Sequence, residues 1–572
     1  MSGILGLMDI AKRALAAEQL GVEVTSHNIS NVNTPGYSRQ LLYLETSTPI
    51  PSPWGPLGYG VTVTGIERAF DSFATVKLDE NTSLLTMNQS IKSDLEQVAS
   101  LFNETQDGGI SQLLSGFWDA WNDLADNPSG AGERQSLLSQ AQNLADAFNF
   151  RADQLVQMRT SITQEIGPTI QKINDYADQI AELNREIISS EVNGQQANDL
   201  RDQRNTALNN LSELVGIRYY TTGDGSINVT LPNGTSLVES VNSWSLSYQI
   251  TPGDTVSVLW NGPGGTSLDV TSSISGGELS AQIQVRDTLI PQYQSDLDDL
   301  AKELVAQVNS QHSQGVGLDL FSTATSSNYV TNPGAVLIND PDLAFGNRIV
   351  NGTFTIHVED STGASTATPI TIDGTTTLTS LAATLDAVAG ISATVVTSGS
   401  ENRLQITADS GYSFGFSQDT SNALMALGIN TFFKGDSAWT IGVDDAVSNN
   451  VDLIATGQID ATTGAHPIGD NSNALLLADL GEQTVGPGGL TFSDAYQQIV
   501  TDIGLEAENA GDQMDYYQGL VDQFQEMRDS VSAVSLDEEL TNLIKYQRAY
   551  QAAAKMVTTA DEMLQTLLSL KT

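Results

Sequence analysis

The chain of 572 residues contains no cysteine. That excludes disulfide staples, a thiol nucleophile and cysteine-ligated zinc or iron–sulfur sites, and leaves packing to hold the fold together. Basic residues are scarce as well: 24 Lys and Arg stand against 69 Asp and Glu, for a net charge of −45. A polyphosphate would be repelled, so nucleic acid is excluded as the main partner. No window reaches the roughly 18 apolar residues of a membrane-spanning helix, and no membrane insertion is expected. Four histidines, His27, His312, His357 and His466, are scattered without H-E-x-x-H spacing. No Walker loop, dinucleotide fingerprint or D-x-D-x-D-G calcium loop occurs either, so no metal site and no cofactor are predicted. Between Lys434 and Arg528 no Lys or Arg interrupts sixteen acidic residues, which reads as a solvated face.

Apolar residues make up 40% of the chain and charged residues 16%, enough for real cores and, at this length, roughly three to four domains. The ends are the most regular parts. Ile4, Met8, Ala11, Leu15 and Val22, with Glu18 in the gap, recur on one face of an N-terminal helix. Lys12 and Arg13 follow the first apolar residues, the reverse of a secretory signal, so no cleaved signal peptide is expected. At the other end Leu536, Leu540, Leu543, Gln547, Tyr550, Ala554, Val557, Asp561, Leu564 and Leu568 alternate steps of four and three, as a coiled-coil seam does. Ser535 and Glu538 form a capping box at its start. Ile544, Ala553, Ala560, Met563 and Leu567 make this face wider than one partner helix covers. The two terminal helices are therefore expected to pair, and to present Ile4, Met8, Ala11, Leu15, Val22, Leu536, Leu540, Leu543, Ile544, Tyr550, Ala554, Val557, Leu564 and Leu568 as an assembly interface. Each fully buried Leu or Ile contributes on the order of 2 kcal/mol, against an ordering cost of about 1 to 2 kcal/mol per residue. That balance predicts termini that become ordered on assembly.

After the first helix, Thr34-Pro35-Gly36-Tyr37 has the composition of a type II turn, Pro35 fixing φ and Gly36 accepting the positive φ that follows. Asn28, Asn31 and Asn33 can bond nearby backbone and end the helix. Taken together, NISNVNTPGYSRQ resembles the N-terminal signature of the bacterial flagellar rod, hook and hook-associated proteins, its PGYSRQ ending being most similar to the hook-associated members. SLDEELTNLIKYQRAYQAAAKMVTTADEMLQTLL resembles the C-terminal end of the same family. Gly276 to Gly315 is similar to an internal helical segment that hook-associated proteins carry and hook and rod proteins lack. The resemblance implies a structural adaptor that polymerises with itself, as a ring or helical assembly, at the hook–filament junction. It further implies as neighbours the hook protein and the second hook-associated protein, FlgL. Type III export without signal cleavage and a flagellar export chaperone on the C-terminal helix are implied too.

The middle of the chain predicts a multidomain α + β fold. A discontinuous, elongated helical domain is expected over 36–216, 276–320 and 490–534, with a hairpin near 37–66 and a helix from about Gly132 to Ser190 kinked or divided at Gly167-Pro168. Residues 217–275, 321–343 and 436–489, rich in Thr, Ser and Val, read as one β-rich domain with hairpin signals such as Asn233-Gly234. An insertion at 344–435 alternates strands with one helix through Leu378, Leu381, Leu385 and Val388, and resembles a small α/β module of flagellins and filament caps. Residues 1–35 and 535–572 form the terminal coiled-coil domain.

One pattern competes with a structural role. Gly411-Tyr412-Ser413-Phe414-Gly415 fits G-x-S-x-G, with Asp444 or Asp445 and then His466 in hydrolase order. A nucleophile elbow needs repeated βα units, which the surrounding Thr- and Gly-rich strands do not supply, so no catalytic residue is assigned. A secreted hydrolase or adhesin with an assembly stalk is the alternative reading.

Overall fold

The computed structural model describes residues 2–51, 55–103, 108–460 and 463–569, and of Ser2 the backbone alone. Met1 and residues 570–572 of the expected terminal domain lie outside these. In chain order the α-helices are α1 (Ser2–Ser30), α2 (Ser72–Leu101), α3 (Ile110–Asp126), α4 (Ala131–Glu191), α5 (Asn198–Leu214), α6 (Gly277–Gln284), α7 (Ile290–His312), α8 (Leu378–Asp386), α9 (Ala423–Leu427), α10 (Asp445–Asn449), α11 (Ser472–Asp479), α12 (Phe492–Ser532) and α13 (Leu536–Ser569). No helix among the described residues is long and apolar enough to cross a membrane. The chain divides into two compact units, Met1–Ser93 with Ile162–Asp287 and Glu508–Thr572, and Asp94–Ser161 with Thr288–Ala507.

In the first unit, β1 (Gln40–Thr46) and β2 (Val61–Arg68) form an antiparallel hairpin with a register shift at Tyr43/Leu44. β3 (Arg218–Thr221), β4 (Ile227–Thr230), β5 (Ser236–Glu239) and β6 (Asn242–Ser243) make one meander, and β7 (Ser245–Ile250), β8 (Val256–Asn261) and β9 (Ser267–Asp269) another. The Asn233-Gly234 turn joins β4 to β5, with Gly234 at φ 89°. Ile170, Ile173 and Ile180 of α4, Leu208 and Leu211 of α5, and Val229, Leu237 and Val258 of the strands share one core. The strands of 217–275 are thus too small to enclose a core of their own and close it with helices. α4 runs unbroken through Pro168, and neighbouring Gly167 brings its backbone against the Tyr248 ring.

In the second unit, β10 (Thr323–Thr325), β11 (Gly352–Asp360), β12 (Ser365–Ile372), β13 (Ile391–Ser398), β14 (Glu401–Ala408) and β15 (Tyr412–Ser417) form two antiparallel sheets, ordered β12-β11-β15 and β10-β14-β13. The short β16 (Phe433–Lys434) pairs with β17 (Gly442–Val443). The expected grouping of 321–343 and 436–489 with 217–275 does not appear in the pairing: Thr323–Thr325 joins β14, and 436–489 is mostly short helices and loops. Thr- and Ser-rich composition signals extended backbone but not which strand it pairs with. An aromatic core gathers Phe117 and Trp121 of α3 with Phe432, Phe433 and His312.

Candidate assembly surface on the paired termini

α1 ends in a corner whose backbone needs special residues. Tyr37 N–H donates to Thr34 O (3.2 Å), closing a turn with Gly36 at φ 78°. A Cβ on Gly36 would lie 2.4 Å from Thr206 Oγ1, so both conformation and space demand glycine there. The asparagines divide the work. Asn28, 1% exposed, accepts from Gln40 N–H (2.9 Å) and the Tyr37 hydroxyl (2.7 Å) at Oδ1, and donates to Gln40 O (2.9 Å) through Nδ2. Asn31 donates to His27 O (3.0 Å) and accepts from Thr34 Oγ1 (3.1 Å), while Asn33 and Pro35 are exposed. Burial pushes the Tyr37 hydroxyl pKa up, and the carboxylates of Asp199, Asp202 and Glu539 add to it.

The same corner ties the two ends of the chain together. Asn28 Nδ2 also donates to Glu539 Oε2 (3.1 Å), and Arg39 donates from Nε to Glu539 Oε1 (2.8 Å) and from Nη1 to Glu538 Oε2 (2.8 Å). Arg39 N–H caps α12 through Ser532 O (2.8 Å). Next in sequence, Ser38 donates from N (2.9 Å) and Oγ (2.7 Å) to Asp202 of α5, which also accepts from Arg68 Nη1 (2.7 Å). Behind the turn lies a cavity of about 510 Å³ lined by Pro35, Asp79, Asn209, Arg528 and Ser532, among others. Burial pushes Asp79 up to about 6, opposed by hydrogen bonds from Tyr219 and Asn209.

α1 and α13 pack side by side in antiparallel register. Gly21 meets the Tyr546 ring so closely that a Cβ would lie 2.6 Å from its Cδ1, and one heptad away Asn28 meets Glu539. A further heptad on, this register sets Ala14 at the level of Ala553, and then Leu7 at that of Ala560. Ala553 and Ala560 are buried, at 2% and 0% exposed. Small residues every seven positions let the helices approach closely. Both segments are helical in the single chain, whereas the sequence predicts termini that become ordered on assembly. The physical reason is this seam and its Glu539 anchor, which the apolar stripes do not contain.

Of the residues predicted for the interface, Ala11 is buried in the chain, whereas Ile4, Met8, Leu15, Val22, Leu543, Ala554, Val557 and Leu564 are half-buried. Met8, Leu15 and Val557 line one apolar groove of about 680 Å³ with Leu5, Ile50 and Tyr59. Leu536, Leu540, Tyr550, Ile544 (58%) and Leu568 (61%) are exposed. An isolated apolar side chain at the surface is ordinary, but this many along one helix pair is not. Gly21, Arg39, Glu539 and Tyr546 escaped the sequence reading. The signal for Glu539 and Tyr546 was a second heptad, 539, 546, 553 and 560, one step before the Leu540 register.

The G-x-S-x-G pattern is not an elbow. Ser413 lies within β15, opposite Glu359 of β11, and His466 Nδ1 approaches Glu359 (3.7 Å). Asp444 is occupied with Thr431 Oγ1 and the start of α10, and Asp445 pairs with Lys434. Among the described residues no three His, Cys, Asp or Glu side chains are grouped to hold a metal ion.

Three family descriptions match the chain in order: "Flagella basal body rod protein" over residues 8–37, "Flagellar hook-associated protein FlgK helical domain" over 95–324, and "Flagellar basal body rod FlgEFG protein C-terminal" over 528–570. The outer two fall on the helix pair and its corner, and all three place the chain in one class: it belongs to the flagellar rod, hook and hook-associated proteins, structural parts of the bacterial flagellum. Its full length is similar to one kind among them. Flagellar hook-associated protein 1 of Salmonella typhimurium is 27% identical over 99% of this chain and 100% of its own length, and that of Bacillus subtilis 25% identical over 99% and 98%. The flagellar hook junction protein FlgK from Burkholderia pseudomallei shares the fold, with a TM-score of 0.54 at 19% identity over 80% of this chain and all of that one. The chain is thus of the FlgK kind. The flagellar hook protein FlgE of Caulobacter vibrioides is 55% identical over 40 residues, 7% of each chain.

Proposed function

We propose that this chain is the structural adaptor at the junction of hook and filament, polymerising there as a ring or short helical assembly that the filament requires. The observation that carries the reading is the apolar face of the α1/α13 pair, with Leu536, Leu540, Ile544, Tyr550 and Leu568 of one helix open to solvent. Covering these residues against the same helices of neighbouring copies would contribute on the order of 1 to 2 kcal/mol each. The contact repeats around a tube, so the sum per subunit is large. The mechanism is packing, and no reaction is assigned.

The neighbours in this reading are the hook protein on one side and FlgL on the other. Similarity to a hook protein, 55% identical over 40 residues, supports the first. The family resemblance supports export through the flagellar type III channel, with a cytoplasmic chaperone masking the apolar face of α13 beforehand, and supports a position outside the cell in the flagellum. The test is electron microscopy of a strain lacking the gene. Hooks without filaments are expected, with filaments restored by the full chain but not by one ending at Ala554. Filaments of normal number in the deletion strain would overturn the proposal.

A further inference from the structure

The second unit exposes an aromatic residue on a loop built to be rigid. Between β16 and β17, Asp436 to Ile441 form a tight turn in which Thr440 N–H and Ile441 N–H both donate to Ser437 O (3.1 and 2.9 Å), and Gly435 takes φ 86°. Two outside groups clamp it. Asn149 Nδ2 of α4 donates to Ala438 O (2.8 Å) and Ile441 O (3.2 Å), and Asp298 Oδ1 of α7 accepts from Ala438 N–H (2.7 Å). Ala438 is fully buried; the next residue, Trp439, is 54% exposed. Phe150, adjacent to Asn149 on α4, is 57% exposed. An indole held outward by a loop that is already ordered loses little further entropy on binding, the property of an interface anchor.

The charge around the two rings names the partner. Asp146 and Asp153 flank Phe150 at helical spacing, Asp298 and Asp436 hold or belong to the loop, and Asp445 stands beside β17, where it pairs with Lys434. Crowding is felt within the group: burial raises the Asp298 pKa, and Asp299 and Asp436 add to the rise. A second copy, with the same acidic surface, would be repelled here. We propose that Trp439 and Phe150 form a docking surface for an arginine-bearing segment of another protein, the guanidinium lying on the indole face while the surrounding aspartates neutralise it. This surface is independent of the terminal helices.

The test is titration of the purified full chain with a short peptide of alternating arginine and glycine, followed by calorimetry. The expected result is saturable binding that weakens about tenfold in Trp439→Ala, and less in Phe150→Ala, while Leu475→Ala, exposed elsewhere in the same unit, leaves it unchanged. The lysine counterpart of the peptide should bind more weakly, having no planar group to stack. Equal affinity of Trp439→Ala and the parent chain would overturn the proposal, showing that net charge alone attracts the peptide. So would absence of binding at low salt.

Discussion

Glu539→Ala should loosen the two ends of the chain from one another. Glu539 is 2% exposed, and its two oxygens accept from Arg39 Nε (2.8 Å) and Asn28 Nδ2 (3.1 Å). A hydrogen bond to a charged partner contributes about 1.5 to 3 kcal/mol, and removing this carboxylate also leaves a mostly buried guanidinium short of an acceptor. Arg39 keeps Glu538, but that carboxylate is 61% exposed and offsets little. Asn28 keeps Gln40 O. The balance is a loss of roughly 3 kcal/mol from the α1/α13 pair. Hydrogen exchange read by mass spectrometry on peptides from α1 and α13 should therefore accelerate about a hundredfold, with the second unit unaffected. Glu538→Ala serves as control, with a change of less than about 1 kcal/mol expected. If the two variants exchange alike, the anchor is not where the termini are held and the reasoning fails.

Other outcomes follow from the same geometry. Gly21→Ala should weaken the helix pair by about 1 to 3 kcal/mol, measured by the same exchange, and Tyr546→Leu in the same chain should recover part of the loss. Gly36→Ala meets both Thr206 Oγ1 and a positive φ, so Thr206→Ala should restore stability partially and never fully, as urea unfolding would show. His312 is buried with Nδ1 donating to Asn430 O (2.8 Å) and Nε2 accepting from Ala455 N–H (3.0 Å), which fixes the neutral ring. Burial lowers its pKa to about 4, so its contribution is complete above the unfolded value of 6.5 and is lost as pH falls from 6.5 through 4. An NMR titration should find this imidazole still neutral at pH 5, and a midpoint near 6.5 would contradict the assignment. Asp79 has the opposite sign: with its pKa raised to about 6, it destabilises the first unit at neutral pH and ceases to do so as pH falls through 6 toward 4. The folded-state midpoint of its carboxyl carbon checks this.

The ends of the chain were legible because their information is periodic and local. Apolar steps of four and three mark helices whatever they pack against, and Pro35-Gly36 permits few backbone turns. What the stripes could not show was their division, since half of the α13 face is covered by α1 and half is open. That division depends on Gly21, Ala553 and Ala560, whose small size is a statement about a neighbour. Glu539 stands in an acidic first turn, where a carboxylate suits the helix dipole whether or not it is buried; its buried role depends on Asn28 and Arg39, some five hundred residues away in sequence. The strands of 321–343 and 436–489 were misgrouped for the same reason, since extended composition carries no register.

We propose that the open flank of α13 is covered by neighbouring subunits in the flagellum. This claim is tested by electron microscopy of cells whose chain carries Leu540→Asp and Ile544→Asp, both at exposed positions of the single chain. Bare hooks are expected, together with unchanged thermal melting of the purified variant. Filaments of normal length on such cells would contradict the claim.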